Sequence, residues 1–228
     1  MKAAIVGPAN TFCFSEASLR LLRENGEPAA LPEQSVLFRE GERPTGLFFV
    51  LAGKVKETLL SEDGREITLS LYYPGDLFGK FDPFDGAPHD TSARTTEPTS
   101  LLWIRQEKLD GLLACFGDLA VEFARWSGYM NRLMRTKYRD AILYGKTGAL
   151  CSALIRLANM HGPDHIRITN AELADMIGAA RESVNRMLAD LKKAGAVSVR
   201  HGTVAVRDLS YLRSICRCAD CPVEVCRP

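Results

Sequence analysis

The 228-residue sequence predicts an α+β chain, in which an N-terminal antiparallel β-roll is followed by one long helix and a C-terminal winged helix-turn-helix. Short apolar or alternating runs separated by glycine turns extend from Leu31 to Ile104. A helical apolar stripe then runs from Leu119 to Leu133, and two short helical patterns joined by a glycine turn precede an alternating hairpin. The predicted boundaries are 1–118 for the roll, 119–145 for the long helix, 146–213 for the winged helix-turn-helix and 214–228 for a cysteine-rich tail.

Composition and charge narrow the classes of protein to consider. A chain with 46% hydrophobic content and this length can bury two modest cores. Its net charge of +1 means that any nucleic-acid partner must be bound by a local basic patch. The sequence lacks a run of about 18 apolar residues, which a membrane-spanning helix needs, and lacks a secretory signal. We therefore expect a cytoplasmic protein with no membrane partner.

The predicted roll rests on runs such as Gly46 to Leu51 and Glu66 to Tyr73, cut by turns at Ala52-Gly53 and Pro74-Gly75-Asp76. Strands of this length with glycine turns are typical of a compact antiparallel barrel or roll. The segment shows no catalytic group, so we expect a sensor-sized module and not an enzyme.

The long helix is predicted from an apolar stripe whose members recur at alternating steps of four and three, namely Leu119, Phe123, Trp126, Met130 and Leu133. Such a narrow stripe is typical of a coiled-coil seam, which favours burial against a partner. The alternative is packing against the chain's own roll. The seven-residue step continues to Asp140, and spacing alone favours a solvated helix end there, because a buried carboxylate needs a partner.

The winged helix-turn-helix is predicted from local signals along residues 166–206. Thr169 to Glu172 has the form of a capping box, and a Gly178-Ala-Ala turn separates that helix from a second one, which runs from Arg181 to Ala194 and is stopped by Gly195. The run from Val197 to Val206 alternates around His201-Gly202, as expected for a wing.

The second helix of this motif carries the candidate base-reading residues. Its first turns would reach base edges in the major groove, and they place Arg181, Glu182, Asn185 and Arg186 on one face. Arginine can bind guanine and glutamate can accept from cytosine. From Arg181 to Arg207 the chain has six basic and two acidic residues, so its positive charge is concentrated where phosphates would lie. The alternative is an ordinary solvated amphipathic helix.

The tail contains four of the chain's seven cysteines, Cys216, Cys218, Cys221 and Cys226. In a reducing compartment this odd total argues for thiolate ligands and against a disulfide framework. Soft sulfur ligands select zinc, copper(I) or an iron–sulfur cluster. A dithiol enzyme using Cys218-x2-Cys221 is disfavoured, because that motif usually opens a helix after a strand in a βαβ setting that is missing here.

Together, the roll, the long helix and the winged helix-turn-helix resemble the CRP/FNR superfamily of dimeric bacterial transcription regulators over nearly the whole chain. The segment from Ala180 to Leu188 is similar to the family's recognition helix, with Arg181, Glu182 and Arg186 at the base-reading positions. The resemblance implies a homodimer that binds double-stranded DNA at palindromes with TGTGA-like half-sites, with RNA polymerase as a further partner.

The roll resembles the cyclic-nucleotide-binding domains of this superfamily but differs at the positions that hold the nucleotide. Those domains have a Gly-Glu, whose carboxylate binds the ribose, and then an arginine for the phosphate; this chain has Gly79-Lys80 and Asp90-Thr91. Without the acceptor and the bidentate counter-charge, we expect that cyclic AMP does not bind.

The tail resembles that of the Bacillus-type FNR group, in which three cysteines and an aspartate from the end of the dimer helix hold a 4Fe–4S cluster. Arg139-Asp140 followed by Gly145-Lys-x-Gly148 resembles the segment that supplies this aspartate. The resemblance implies an oxygen-responsive activator of genes for anaerobic metabolism, with Cys218, Cys221, Cys226 and Asp140 as cluster ligands.

Three points stay open at this stage. Cys216 has no counterpart in the resemblance, so a site in which Cys216 replaces Asp140 as the fourth ligand remains an alternative. Asp140 could serve the cluster of its own chain or that of the partner. A zinc-stabilised regulator of the same family, responding to another signal, is the alternative function.

Overall fold

The structure, a computed structural model of the chain, describes residues 7–62, 64–81, 86–200, 202–218 and 226–228. The chain divides into two compact units, Ala9–Gly128 and Met1–Pro8 together with Tyr129–Pro228. The first unit contains a β-roll and the second a helix-turn-helix with a small sheet, which confirms the predicted fold class.

The roll consists of two four-stranded antiparallel sheets. Its strands are β1 (Glu27–Leu31), β2 (Val36–Phe38), β3 (Gly46–Ala52), β4 (Val55–Leu60), β5 (Glu66–Tyr72), β6 (Leu77–Lys80), β7 (Ser92–Thr95) and β8 (Thr99–Arg105). The first sheet has the order β1-β8-β3-β6 and the second β2-β7-β4-β5. Leu47, Phe78 and Ile104 are almost fully buried, so the interior of the roll is filled by its own side chains.

Three helices accompany the roll: α1 (Glu16–Glu24), α2 (Gln106–Cys115) and the N-terminal part of α3 (Gly117–Leu143). The predicted stripe of α3 is largely buried within a single chain. Trp126 lies 6.5 Å from the ring of Phe14, and Phe123 contacts Phe81 edge-on at 5.2 Å. Leu119 and Leu133 are 1% and 2% exposed. For Leu119, Phe123 and Trp126 the expectation that the stripe faces a partner is therefore wrong, and the alternative of packing against the chain's own roll unit holds.

A second stripe lies on the exposed side of α3. It follows the same alternation of three and four residues and consists of Val121, Ala124, Gly128, Asn131, Arg135, Tyr138 and Ile142, all exposed. Val121, Tyr138 and Ile142 are large hydrophobic side chains with 53%, 70% and 58% exposure. We call this set the outer stripe. Because α3 has apolar residues on both faces, the outer stripe provides an apolar surface for contact with another molecule.

The second unit is built around helix α4 (Gly145–His161). It also contains α5 (Asn170–Ile177), α6 (Arg181–Lys193) and α7 (Leu209–Cys216), with strands β9 (Ile166–Arg167), β10 (Val197–Arg200) and β11 (Thr203–Val206). The strands form an antiparallel sheet of order β10-β11-β9, so the predicted wing hairpin is confirmed. His201 in its turn lies outside the described residues. Helix α4 begins at Gly145, directly after its N-cap residue Tyr144.

The core of this unit lies against one face of α4. Leu150, Leu154 and Leu157 on that face pack with apolar side chains of α5, α6, β11 and α7. This core holds α6 in the unit by its apolar side and leaves the other side of α6 exposed. Across the described ranges, no helix has both the length and the apolar character that a bilayer crossing requires.

Candidate functional site

The turn between α5 and α6 sets the angle between these two helices. Thr169 and Glu172 form the predicted capping box at the start of α5, with the Glu172 amide donating to Thr169 Oγ1 at 3.1 Å. Helix α5 ends at Gly178, whose backbone is left-handed with φ +58°, a conformation that glycine adopts without steric cost. Lys146 Nζ donates to the carbonyl of Ile177 at 3.0 Å and binds the last turn of α5.

Helix α6 buries one side and exposes the other. Val184, Leu188 and Leu191 are buried in the core of the unit. The four predicted base-reading residues, Arg181, Glu182, Asn185 and Arg186, are all exposed on the first two turns. Asn185 accepts a hydrogen bond from Asn170 of α5, and Arg186 Nη2 donates to Ser183 Oγ at 3.4 Å. This arrangement fits the predicted interface, in which one face is held by apolar contacts and the other is open to a ligand.

The basic side chains around α6 and the wing are exposed and can bind an external anion. Lys192 and Arg200 are exposed, and Lys193 makes only a long exposed contact with Asp190, at 3.6 Å. Arg207 forms an exposed ion pair with Asp164 at 2.9 Å. Exposed pairs of this kind are weak and exchange readily for a phosphate contact. The surface therefore retains the basic character predicted from the sequence.

The second candidate site lies at the C-terminal end of α3. Asp140 is only 2% exposed, so the expectation from spacing alone, that it is solvated, is wrong. Its Oδ1 accepts from Nε and Nη2 of Arg139 at 3.0 and 2.7 Å. Its Oδ2 accepts from Arg156 Nη2 at 2.9 Å and from the hydroxyl of Ser152. The buried carboxylate is thus fully hydrogen-bonded to donors on α3 and α4.

The same arginine contacts one of the predicted cysteine ligands. Arg156 is 5% exposed, and its Nε–H donates to the sulfur of Cys226 at 3.4 Å. Two of the four predicted cluster ligands, Asp140 and Cys226 of one chain, therefore bind a single guanidinium group. Arg227 next to Cys226 is also buried and donates to the carbonyl of Pro8.

The other described cysteines of the tail lie near this carboxylate. Cys216 ends α7 and is 1% exposed, with its thiol donating to the carbonyl of Leu212 at 3.3 Å. A hydrogen bond with Cys218 lowers the pKa of the Cys216 thiol, while burial and the nearby Cys151 and Asp140 oppose that shift. Cys216 and Cys218 are therefore in contact, and Asp140 is close enough to raise the pKa of the Cys216 thiol. Cys221, a predicted ligand, lies outside the described residues.

Donor chemistry decides whether these residues suit a metal group. Cys218, Cys226 and Asp140 combine soft sulfur with one carboxylate, a set compatible with iron–sulfur or zinc chemistry. Cys151 is different, because burial raises the pKa of its thiol to about 12. Within the described residues, no group of three or more Cys, His, Asp or Glu side chains is arranged to hold a metal ion. These side chains are chemically suited to an iron–sulfur or zinc group. To bind a metal, Asp140 would have to give up one of its hydrogen bonds to Arg139, Ser152 or Arg156.

The roll positions relevant to cyclic nucleotides are engaged in contacts of their own. Lys80 Nζ, at the end of β6, donates to the carbonyl of Pro88 at 2.9 Å. Thr91 Oγ1 donates to Glu57 Oε1 at 2.7 Å. Lys80 provides no carboxylate for the ribose, and Thr91 provides no guanidinium for the phosphate. Both observations are consistent with the expectation that cyclic AMP does not bind, which stays a prediction.

Sequence reasoning missed Arg156 and Ser152. Both belong to a run from Ala149 to Ala158 that is otherwise apolar. A charged side chain inside such a run must be paired if the run is buried on all sides. That signal was present in the sequence, but it does not reveal which carboxylate serves as the partner.

Comparisons with known proteins agree with this arrangement. Two family descriptions match the chain, "Cyclic nucleotide-binding domain" over residues 28–115 and "Crp-like helix-turn-helix domain" over residues 148–215. The chain is 35% identical to the anaerobic regulatory protein of Bacillus subtilis, over 97% of both chains. It is 27% identical to a CRP-like cAMP-activated global transcriptional regulator of Mycobacterium tuberculosis, over 86% of this chain and 91% of that protein. A solved CooA mutant from Carboxydothermus hydrogenoformans shares the fold, with a TM-score of 0.72, 21% identity, and coverage of 89% of this chain and 92% of that one.

Proposed function

Because this chain belongs to the CRP/FNR family of transcription regulators and carries a Crp-like helix-turn-helix DNA-binding domain, we propose that it is an oxygen-responsive regulator controlled by a 4Fe–4S cluster. Regulators of this family are not enzymes, which confirms the prediction that the chain has no catalytic activity. The single observation that carries the proposal is the buried Asp140, which shares Arg156 with Cys226 of the tail.

The DNA-binding step rests on the exposed side of α6. Arg181, Glu182, Asn185 and Arg186 would enter the major groove, where arginine pairs with guanine and glutamate accepts from cytosine. Family members bind DNA and are typically dimers. Two copies of α6 spaced roughly 34 Å apart would read a palindrome with TGTGA-like half-sites. We propose activation of genes for anaerobic metabolism, in line with the name of the Bacillus subtilis relative.

The dimer contact that we propose uses the outer stripe of α3. Val121, Tyr138 and Ile142 offer apolar surface at the repeat of a two-stranded coiled coil. Asn131 would lie at an inner position, where a single asparagine fixes register and strand number. Arg135 would lie at another inner position and face Arg135 of the second protomer, and burying these two like charges would weaken the dimer.

The sensing step rests on the tail and on the end of α3. Cys218, Cys221, Cys226 and Asp140 would hold the cluster, with the three thiolates as soft ligands and the carboxylate as the harder, more easily displaced one. When bound, a 4Fe–4S cluster supplies a redox-active centre that oxygen can attack. Asp140 and the tail would then connect the end of α3 to the helices that support α6, so loss of that connection would loosen the spacing of the two α6 helices. The shared contact on Arg156 favours a ligand set from one chain.

A zinc-stabilised regulator remains the second candidate. The observation that favours it is the contact of Cys216 with Cys218, since a site of four thiolates would be a structural zinc site. The two candidates differ in the fourth ligand, which is Asp140 for the cluster and Cys216 for zinc.

The test is an oxygen-free preparation of the wild type, Asp140→Asn and Cys216→Ala. We expect brown wild-type protein with about four iron and four sulfide per chain. It should bleach in air and bind a TGTGA palindrome more tightly before bleaching than after. Cys216→Ala should keep the cluster, and Asp140→Asn should lose it faster in air. Colourless wild-type protein with one zinc per chain would refute the proposal, as would full DNA binding by iron-free protein.

A further inference from the structure

Helix α4 carries a positive charge where its sequence is otherwise apolar. Arg156 is 5% exposed, and its neighbours Ile155 and Leu157 are each 2% exposed. A buried guanidinium is tolerated only when it is paired and hydrogen-bonded. Its planar fork provides several donors in fixed directions, so it can bind two acceptors from different parts of the chain at once.

Arg156 uses two of those donors to join two elements that are far apart in sequence. Nη2 donates to Asp140 Oδ2 at 2.9 Å, at the end of α3, and Nε donates to the sulfur of Cys226 at 3.4 Å, in the tail. The guanidinium therefore lies between an oxygen and a sulfur that the proposed function assigns to one metal group.

The two oxygens of Asp140 differ in what a metal would have to displace. Oδ1 accepts from Nε and Nη2 of Arg139, whose side chain is 26% exposed and can turn towards solvent. Oδ2 is bound by Ser152 and by Arg156, and both side chains are buried. A carboxylate oxygen has only about two lone-pair sites, so Oδ2 has none left for a metal while both donors remain.

We propose that Arg156 occupies the place of a cation in the metal-free protein. It holds Asp140 and Cys226 together, and a metal must displace it from Asp140 Oδ2 in order to bind there. This inference rests on the proposed function insofar as Asp140 and Cys226 are ligands. It goes further by naming the group that a metal replaces and by placing that group on α4, which shares an apolar core with α6.

If Arg156 competes with the metal, replacing it should change the metal affinity in the opposite direction to replacing a residue that orients a ligand. Removing a residue that merely orients a ligand typically weakens metal binding by about 10–100-fold. Removing a competing cation should instead strengthen it, because Oδ2 and the thiolates then lose the positive charge that opposes a metal. The sign of the change in affinity therefore separates the two roles.

The experiment measures zinc binding by the metal-free full-length protein, with a chromophoric chelator as competitor. Arg156→Met should bind zinc about tenfold more tightly than wild type. Arg156→Lys, which keeps the charge but has no fork to span both acceptors, should give a smaller gain. In an Asp140→Asn background most of the gain should vanish. Arg132→Met removes an exposed positive charge from α3 and serves as the matched control, for which we expect no gain.

Weaker or unchanged zinc binding by Arg156→Met would overturn the inference. An equal gain in the Asp140→Asn background would also overturn it, since the effect would then not pass through the carboxylate. If Arg156→Met does not fold, Arg156→Lys decides: equal or weaker zinc binding than wild type rejects the displacement. An iron-free anaerobic protein would refute the proposed function and leave these affinities measurable, so the two failures are distinguishable.

Discussion

Replacing Asp140 by alanine tests the buried ion pair through stability alone. The pair joins Arg156 Nη2 to Asp140 Oδ2 at 2.9 Å, and the two side chains are 6% and 3% exposed. Removing the carboxylate leaves the guanidinium buried with no opposite charge in this pair, and breaking a buried pair in this way costs about 3–5 kcal/mol. In a unit of about 100 residues, each kcal/mol shifts Tm by about 4–8 °C. We therefore expect Tm of the metal-free protein to fall by about 12 °C or more.

The measurement is thermal unfolding followed by circular dichroism, supported by urea titration to detect a change in slope. Asp164→Ala is the control, because Asp164 pairs with Arg207 at the same 2.9 Å in the same unit but with 59% and 55% exposure. That substitution should cost less than about 1 kcal/mol. The double variant Asp140→Ala/Arg156→Met should recover much of the loss, since neither charge of this pair is then left buried. Equal losses for Asp140→Ala and Asp164→Ala would refute the reasoning.

Three further predictions concern DNA, self-association and pH. Arg186→Ala should reduce discrimination between half-sites by about 1–3 kcal/mol, whereas Lys192→Ala should weaken binding to all sequences alike and lower the salt slope by about one, as measured by fluorescence anisotropy. Arg135→Leu should tighten the dimer in sedimentation experiments at low salt, and an unchanged association constant would remove the outer stripe as the contact. Burial and then the nearby Lys80 charge lower the pKa of His89, which stacks on Phe38 at 3.9 Å. The unfolded chain therefore takes up the proton first, so stability should fall as pH drops below about 6.5 towards the folded pKa, and His89→Gln should flatten that fall in urea titrations.

The apolar stripe shows what periodicity can and cannot predict. The spacing from Leu119 to Leu133 correctly identifies a buried helix face, because repeats near 3.6 residues define a face. It does not identify the covering surface, and Phe14 and Phe81 of the same chain provide part of it. The outer stripe was overlooked because Asn131 and Arg135 interrupt its apolar pattern.

Local signals were reliable where a few neighbouring residues determine the outcome. The capping box at Thr169 and the turn at Gly178 both form as predicted, since each depends on residues only a few positions apart. Strand β7 was not predicted, because Ser92 to Thr95 is held by pairing with β2 and β4 and has no apolar alternation of its own. Asp140 shows the same limit, as its burial depends on Arg156, which lies 16 positions further along the chain.

The two faces of helix α4 make different kinds of contact. Leu150, Leu154 and Leu157 anchor the scaffold that presents α6, while Arg156 binds the carboxylate and the tail sulfur. A hydrogen-bonded helix moves as a stiff rod, with a rise of about 1.5 Å per residue. If a metal displaces Arg156 as we propose, the change therefore acts on the same helix that packs against α6, and no flexible segment is needed between the metal site and α6.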